Sequence, residues 1–236
     1  MLSENSKSAA QCYLVVRMMT ERSVNKEKKS RIRDPLLVTQ RQNEIVKGAI
    51  KVFKEKGFHV STVRDIGEAA GLTQGTLYNY VRSKEDILFL VCDQLVQNYQ
   101  DAVKAAIQDE TDPGRRLTAA LRSVVLTMEA NQEDLLLLYQ EVHALERVAL
   151  RAVLHRVGEF IDDFNKLLED CRAKDLLDFP DTRLGAEIIT FLPVIVALRR
   201  WSLARHPDQI GVIEGLVDFM RRGLGLKTSP ADKGHA

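Results

Sequence analysis

The sequence predicts an all-α protein: a small N-terminal three-helix domain followed by a larger helical domain. Three observations lead there. Apolar residues recur at helical spacing from about residue 37 almost to the end. No stretch shows the strict apolar–polar alternation of a half-buried strand. Helix start and stop signals repeat along the chain, and only six prolines and thirteen glycines punctuate it.

The elements follow in order. Residues 1–36 read as a poorly ordered basic leader, with Lys26, Lys28, Lys29, Arg31 and Arg33 in one run and Met18 and Met19 as alternative starts. From about 37, Ile45, Val46, Ala49, Ile50 and Phe53 form one stripe, with Lys47, Lys51 and Lys54 off it. Gly57 follows a basic last turn and caps that helix. Thr62-Val63-Arg64-Asp65 has capping-box spacing and opens a short helix over 62–70. Gly71-Leu72-Thr73 is a three-residue turn, and Thr73 caps a second short helix over 74–80. Ser83-Lys84-Glu85-Asp86 starts a long amphipathic helix reaching about Ile107. Further helices are expected at about 114–129, 132–144, 146–176, 181–205 and 208–224, then a frayed tail over 226–236. Pro113, Pro180 and Pro207 stand near element starts, whereas Pro193 falls inside an apolar helix and should kink it.

Composition narrows the function. Apolar residues make up 45% and charged residues 28% of the 236, an ordinary globular balance. The net charge of +1 conceals an asymmetry: residues 1–60 hold 13 Lys and Arg against 6 Asp and Glu, while the rest is mildly acidic. A basic end suits a polyanion. Cys12, Cys92 and Cys171 are too scattered for a disulfide scaffold or a cysteine-rich zinc site, and suit a reducing cytoplasm. The longest apolar run, Phe191 to Leu198, falls well short of the roughly 20 residues that span a bilayer. No membrane partner and no cofactor are expected.

The strongest functional signal is the spacing of 62–70 and 74–80, two short helices joined by three residues that include a glycine, which is helix-turn-helix spacing. Leu77 would pack the small domain. Thr73, Gln74, Thr76, Asn79 and Tyr80 would project hydroxyls and amides suited to phosphates and base edges. Tyr78 fits either the core or the DNA side.

The run from Ser61 to Leu88 goes further, with Gly75-Thr76-Leu77-Tyr78, Ser83-Lys84-Glu85-Asp86 and the inter-helix Gly71. It resembles the TetR family of bacterial transcriptional regulators over about 41–88. Over the rest of the chain the likeness is one of length, helix number and an aromatic-rich final pair of helices. The resemblance implies a DNA-binding domain over 37–84 and a ligand-binding and dimerisation domain over 85–225. It implies that Thr73, Gln74, Gly75, Thr76, Tyr78, Asn79 and Tyr80 lie against duplex operator DNA, that Thr62 and Arg64 face it from the first helix, and that Lys84 holds a phosphate. Gly67 stands where alanine is commoner, which weakens the bracing helix; Val81 and Asn79 also depart from the family pattern.

The same resemblance implies a homodimer paired through its last two long helices, whose apolar residues Phe191, Leu192, Val194, Ile195, Val196, Leu198, Trp201, Ile210, Val212, Ile213, Leu216, Val217 and Phe219 exceed what one thin core needs, although an internal core explains some of them equally well. It also implies a small-molecule pocket, for which Leu95, Met128, Leu138, Tyr139, His143, Phe160, Phe164 and Trp201 are candidates, core packing being the plainer reading of each. Tyr139-Gln140-Glu141, Leu145-Glu146 and Ala197-Leu198-Arg199-Arg200-Trp201 are similar to regulators of fatty-acid and acyl-CoA breakdown. Arg199 and Arg200 could meet the phosphates of an acyl-CoA. His143 and His155 are too sparse for a metal site.

The expected activity is therefore that of a ligand-responsive repressor. Two other classes were weighed. An all-α enzyme lacks support, since no Gly-X-Ser-X-Gly, His-Glu-X-X-His or Walker loop occurs. A helical protein-interaction module would keep the helix-turn-helix without using it on DNA.

Overall fold

The computed structural model describes residues 35–227. The expected leader lies outside these residues save its last two positions, as does the tail beyond Lys227. The described residues contain helices and turns and no strand. They form α1 (Pro35–Lys56), α2 (Val63–Ala69), α3 (Gln74–Leu77), α4 (Lys84–Ile107), α5 (Pro113–Ala130), α6 (Gln132–Glu141), α7 (Arg147–Ala173), α8 (Thr182–Phe191), α9 (Ile195–Leu198), α10 (Arg200–Leu203) and α11 (Gln209–Gly223). Short 3₁₀ turns occupy Val142–Ala144 and Leu192–Val194. None of these helices is long and apolar enough to cross a membrane.

The chain divides into two compact units. The first runs to Gln94 and also takes in Glu141–Val153; the second comprises Leu95–Gln140 and everything from Leu154 onward. The expected boundary at 84/85 thus falls ten residues early, and a stretch of the larger half belongs with the smaller one.

In the first unit four of the five stripe residues read from sequence, Ile45, Val46, Ala49 and Phe53, are buried, while Ile50 is only partly so and Val52 joins the core; Ile66, Leu77, Val81, Ile87 and Leu88 are buried as well. Phe53 meets Phe58 edge-on, with ring centroids 5.2 Å apart. Leu145, Ala149 and Val153 from the returning stretch are buried too. Helices α1 and α2 approach closely at Gly48, where a Cβ would stand 2.8 Å from the Ala70 nitrogen.

In the second unit a continuous core joins Leu95, Leu117, Leu121 and Val124 with Phe160, Phe164, Leu168, Ile189 and Val217. Helix α5 packs along α11. Aspartates cap three of its helices: Asp112 accepts from the Arg115 N–H, Asp181 from Leu184 and Asp208 from Gly211. Pro193 interrupts its helix as expected, with α8 ending at Phe191 and a 3₁₀ turn holding the proline; a second break at Arg199 separates α9 from α10, so the expected 181–205 helix becomes three. Of the tail expected to fray, only Leu226 and Lys227 lie among the described residues, and both are held. The Leu226 N–H donates to the Arg221 carbonyl, that of Lys227 donates to Leu176 O, and the Lys227 ammonium pairs with Asp178 at 3.0 Å.

Candidate nucleic-acid interface and effector site

The bracing helix α2 is fixed at its start by a full capping box. The Thr62 hydroxyl accepts from the Asp65 N–H at 3.1 Å, and Asp65 Oδ2 accepts from the Thr62 N–H at 2.9 Å and its O–H at 2.8 Å. The other carboxylate oxygen receives Lys56 Nζ from the end of α1 at 2.8 Å. The Lys56 ammonium first, then the Thr62 hydroxyl and N–H, hold the Asp65 carboxyl down at about 2. One side chain thus closes the cap and ties α2 to α1.

The turn follows from Gly71, whose φ of +69° is left-handed, with the Leu72 N–H returning to the Gly67 carbonyl at 2.9 Å. Gly67 has a use the sequence reading missed. It is buried, and a Cβ there would meet Leu77 Cδ2 at 3.2 Å. Glycine therefore makes room for the fully buried Leu77, so the expected weakening of the bracing helix is offset by closer packing.

Helix α3 is shorter than the expected 74–80. Thr73 caps it, accepting from the Thr76 N–H at 3.2 Å, and regular helix ends at Leu77. Beyond it the Asn79 and Tyr80 N–H groups reach back only three residues, to Thr76 and Leu77, which tightens the last turn. Leu77 points inward while Thr73, Gln74, Gly75 and Tyr78 are exposed, and Thr76, Asn79 and Tyr80 are partly so. Tyr78 is 54% exposed, which places it on the open side and not in the core. A Cβ on Gly75 would meet nothing within 4 Å. Arg64 lies on the surface of α2, paired with Glu68 at 2.9 Å. So exposed a pair is worth little and frees the guanidinium readily.

Lys84 departs from its expected role. Its ammonium donates to the carbonyls of Phe58 at 2.6 Å, His59 at 2.9 Å and Ser61 at 3.0 Å, and sits 4.6 Å from the centre of the Phe58 ring. An ammonium has three N–H donors. All three are spent inside the protein, so Lys84 fastens the start of α4 to the α1–α2 link and leaves no donor for a phosphate. The Ser83 hydroxyl does cap α4, accepting from the Asp86 N–H at 3.1 Å. His59 of the same link meets Glu141 across 3.2 Å within the first unit.

The eight expected effector residues separate into two groups. Leu95, Met128, Phe160 and Phe164 are buried in the core of the second unit, and Leu138 packs against it. Tyr139 is exposed, edge-on to Phe191 with centroids 6.5 Å apart. His143 is exposed on the 3₁₀ turn after α6, and it belongs to the first unit. Trp201 is 60% exposed on α10. Tyr139, His143 and Trp201 are therefore not gathered in this core with the other five. Arg199 and Arg200 are exposed, and Arg200 reaches Glu133 at 3.3 Å.

Comparison with known proteins agrees with this geometry. Residues 45–91 match the family described as bacterial regulatory proteins, tetR family. Over 205 residues the chain is 32% identical to the HTH-type transcriptional regulator HbdR of Aromatoleum sp. (strain CIB), covering 86% of this chain and 85% of that one. The chain belongs to the TetR family. Among solved structures, a tetR-family bacterial regulatory protein from Rhodococcus RHA1 superposes with a TM-score of 0.69 at 20% identity, over 80% of this chain and 99% of the other. AibR in complex with isovaleryl coenzyme A and operator DNA superposes with a TM-score of 0.63 at 18% identity, over 79% and 99%.

As a TetR-family protein the chain is a DNA-binding regulator of transcription and not an enzyme. Two features of the first unit escaped sequence reading. Gly48 sits mid-helix between Lys47 and Ala49, and only the close approach of α2 gives it meaning. Glu141–Val153 joins the first unit through burial that no local pattern announces.

Proposed function

We propose that this regulator is a homodimeric, cytoplasmic repressor whose hold on its operator is released by a small apolar effector of the acyl-CoA class. One observation carries the dimer. Leu184, Ile188 and Phe191 form an i, i+4, i+7 stripe on α8 that is half exposed, and Ile210 and Phe219 of α11 are more exposed still. That much open apolar surface on the last two long helices calls for a partner, and a second copy supplies the symmetry that two half-sites require.

In this reading the exposed face of α3, with Gln74, Gly75 and Tyr78, lies in the major groove. Thr73, Thr76, Asn79 and Tyr80 border it, and Thr62 and Arg64 approach from α2. The apolar core of the second unit receives the effector. Helices α4 and α7 each run unbroken from one unit into the other, so a ligand that favours one arrangement of the second unit biases the first. A coupling of about 1–3 kcal/mol would lower operator affinity roughly 5–150-fold. The acyl-CoA class is supported by the AibR complex and by Arg199 and Arg200, which suit phosphates.

The test is a gel shift on the DNA upstream of the protein's own gene, with and without added acyl-CoA thioesters, for wild type and Phe219→Arg. A specific shift by wild type, reversed by a thioester and lost together with the dimer in Phe219→Arg, is expected. A monomeric wild type that still shifts the fragment, or a shift that no thioester reverses, overturns the reading.

A further inference from the structure

Tyr99 of α4 lies inside the second unit's core, 4% exposed. Its ring stands 6.4 Å from that of Phe160, which in turn meets Phe164 edge-on at 5.2 Å. Its hydroxyl is fully buried and has no hydrogen-bond partner among the described residues. A phenol taken out of water without a partner is costly, and buried polar atoms nearly always have one. The charge distribution says what kind of partner would suit. Burial first, then the Asp134 carboxylate and Tyr139, push the Tyr99 phenol well above the ordinary range. The hydroxyl is therefore a donor at every physiological pH. An uncharged acceptor suits it, since an anion placed in this apolar core without a cation would cost far more.

We propose that the Tyr99 hydroxyl donates a hydrogen bond to an uncharged carbonyl of the effector, and that it selects an acyl thioester over the corresponding free acid. The acyl chain would lie beside Leu95, one turn earlier on the same face of α4, and Phe160. This rests on the effector reading above and sharpens it. The donor satisfies the carbonyl, the apolar neighbours satisfy the chain, and the same apolar surroundings disfavour a carboxylate. A neutral polar contact of this kind supplies selectivity because losing it leaves a buried group unpaired.

The experiment uses the full chain and calorimetric titration with butyryl-CoA, octanoyl-CoA, octanoate and free coenzyme A, for wild type and Tyr99→Phe. Wild type is expected to prefer the thioesters. Tyr99→Phe should lose about tenfold in thioester affinity, with octanoate and coenzyme A unmoved. Without ligand it should melt no lower than wild type and bind operator DNA equally well. Equal thioester affinity in wild type and Tyr99→Phe overturns the proposal, since the hydroxyl then serves only a buried water. A ligand-free Tyr99→Phe that melts several degrees lower also overturns it, because the hydroxyl is then paired within the protein. Wild type that binds none of the thioesters overturns the effector reading itself, and the proposal with it.

Discussion

Replacing Gly75 with alanine should improve the free protein and spoil its use. The new methyl would meet nothing within 4 Å, so no steric penalty arises. Gly75 lies in the first turn of α3, where alanine is favoured over glycine by about 0.5–1 kcal/mol, the low end applying so near a helix start. In a chain of this size, about 0.5 kcal/mol raises the melting temperature by about 1–2 °C. In the proposed docking the same methyl would stand where backbone otherwise comes to van der Waals distance of the duplex. Holding that edge off weakens the hydrogen bonds beside it. Losing two, at about 0.5–1.5 kcal/mol each, costs roughly 5–150-fold in operator affinity. Calorimetry and fluorescence anisotropy on a labelled operator at fixed salt read the two effects separately. Wild-type affinity in Gly75→Ala would show that this backbone edge does not face the duplex, and the placement of α3 in the groove would fall with it.

Three other outcomes follow from the first unit. Lys84→Met should lower stability by about 1.5–3 kcal/mol, since charge-assisted bonds to carbonyls are lost. It should leave the salt dependence of operator binding unchanged, whereas Arg64→Ala should reduce the log–log slope by about 0.9 if Arg64 meets a phosphate; a reduced slope in Lys84→Met would restore that lysine to the phosphate. Gly48→Ala should destabilise by about 1–3 kcal/mol, because the clash is with Ala70 backbone and outweighs the gain in helix propensity; a denaturant melt that moves upward would refute the close approach. Asp65 is held below its ordinary 3.8, at about 2. The stability it contributes is fully present above pH 4 and lost as the pH falls toward 2. Thermal melts from pH 5 to pH 2 should converge for wild type and Asp65→Asn, and parallel curves would contradict the cap.

What was legible in the sequence was local. Apolar spacing placed Ile45, Ala49 and Phe53 inside, and three start signals, at Thr62, Thr73 and Ser83, proved to be working caps. Pro193 broke its helix for the covalent reason that predicts it. The rest depended on contacts between distant positions. Lys84 sits at a motif position that suggests phosphate, but its partners are carbonyls some 25 residues earlier in the chain. Trp201 fitted either a pocket or a dimer face by its sequence, and only its position on α10 shows it exposed. Tyr99 carried no sequence signal at all, because a tyrosine on an apolar stripe looks like any other core aromatic until its hydroxyl is traced.

The stretch Glu141–Val153 has a practical consequence for anyone cutting or grafting this protein. The backbone passes between the two units three times, at 94/95, 140/141 and 153/154. The reading head is thus not a detachable cassette. A fragment stopped at Gln94 would leave behind Leu145, Ala149 and Val153, and with them part of its own apolar cover. Chimeras that exchange specificities between such regulators should carry this loop-and-helix insert along with the first ninety-four residues, or swap individual side chains on α3 instead.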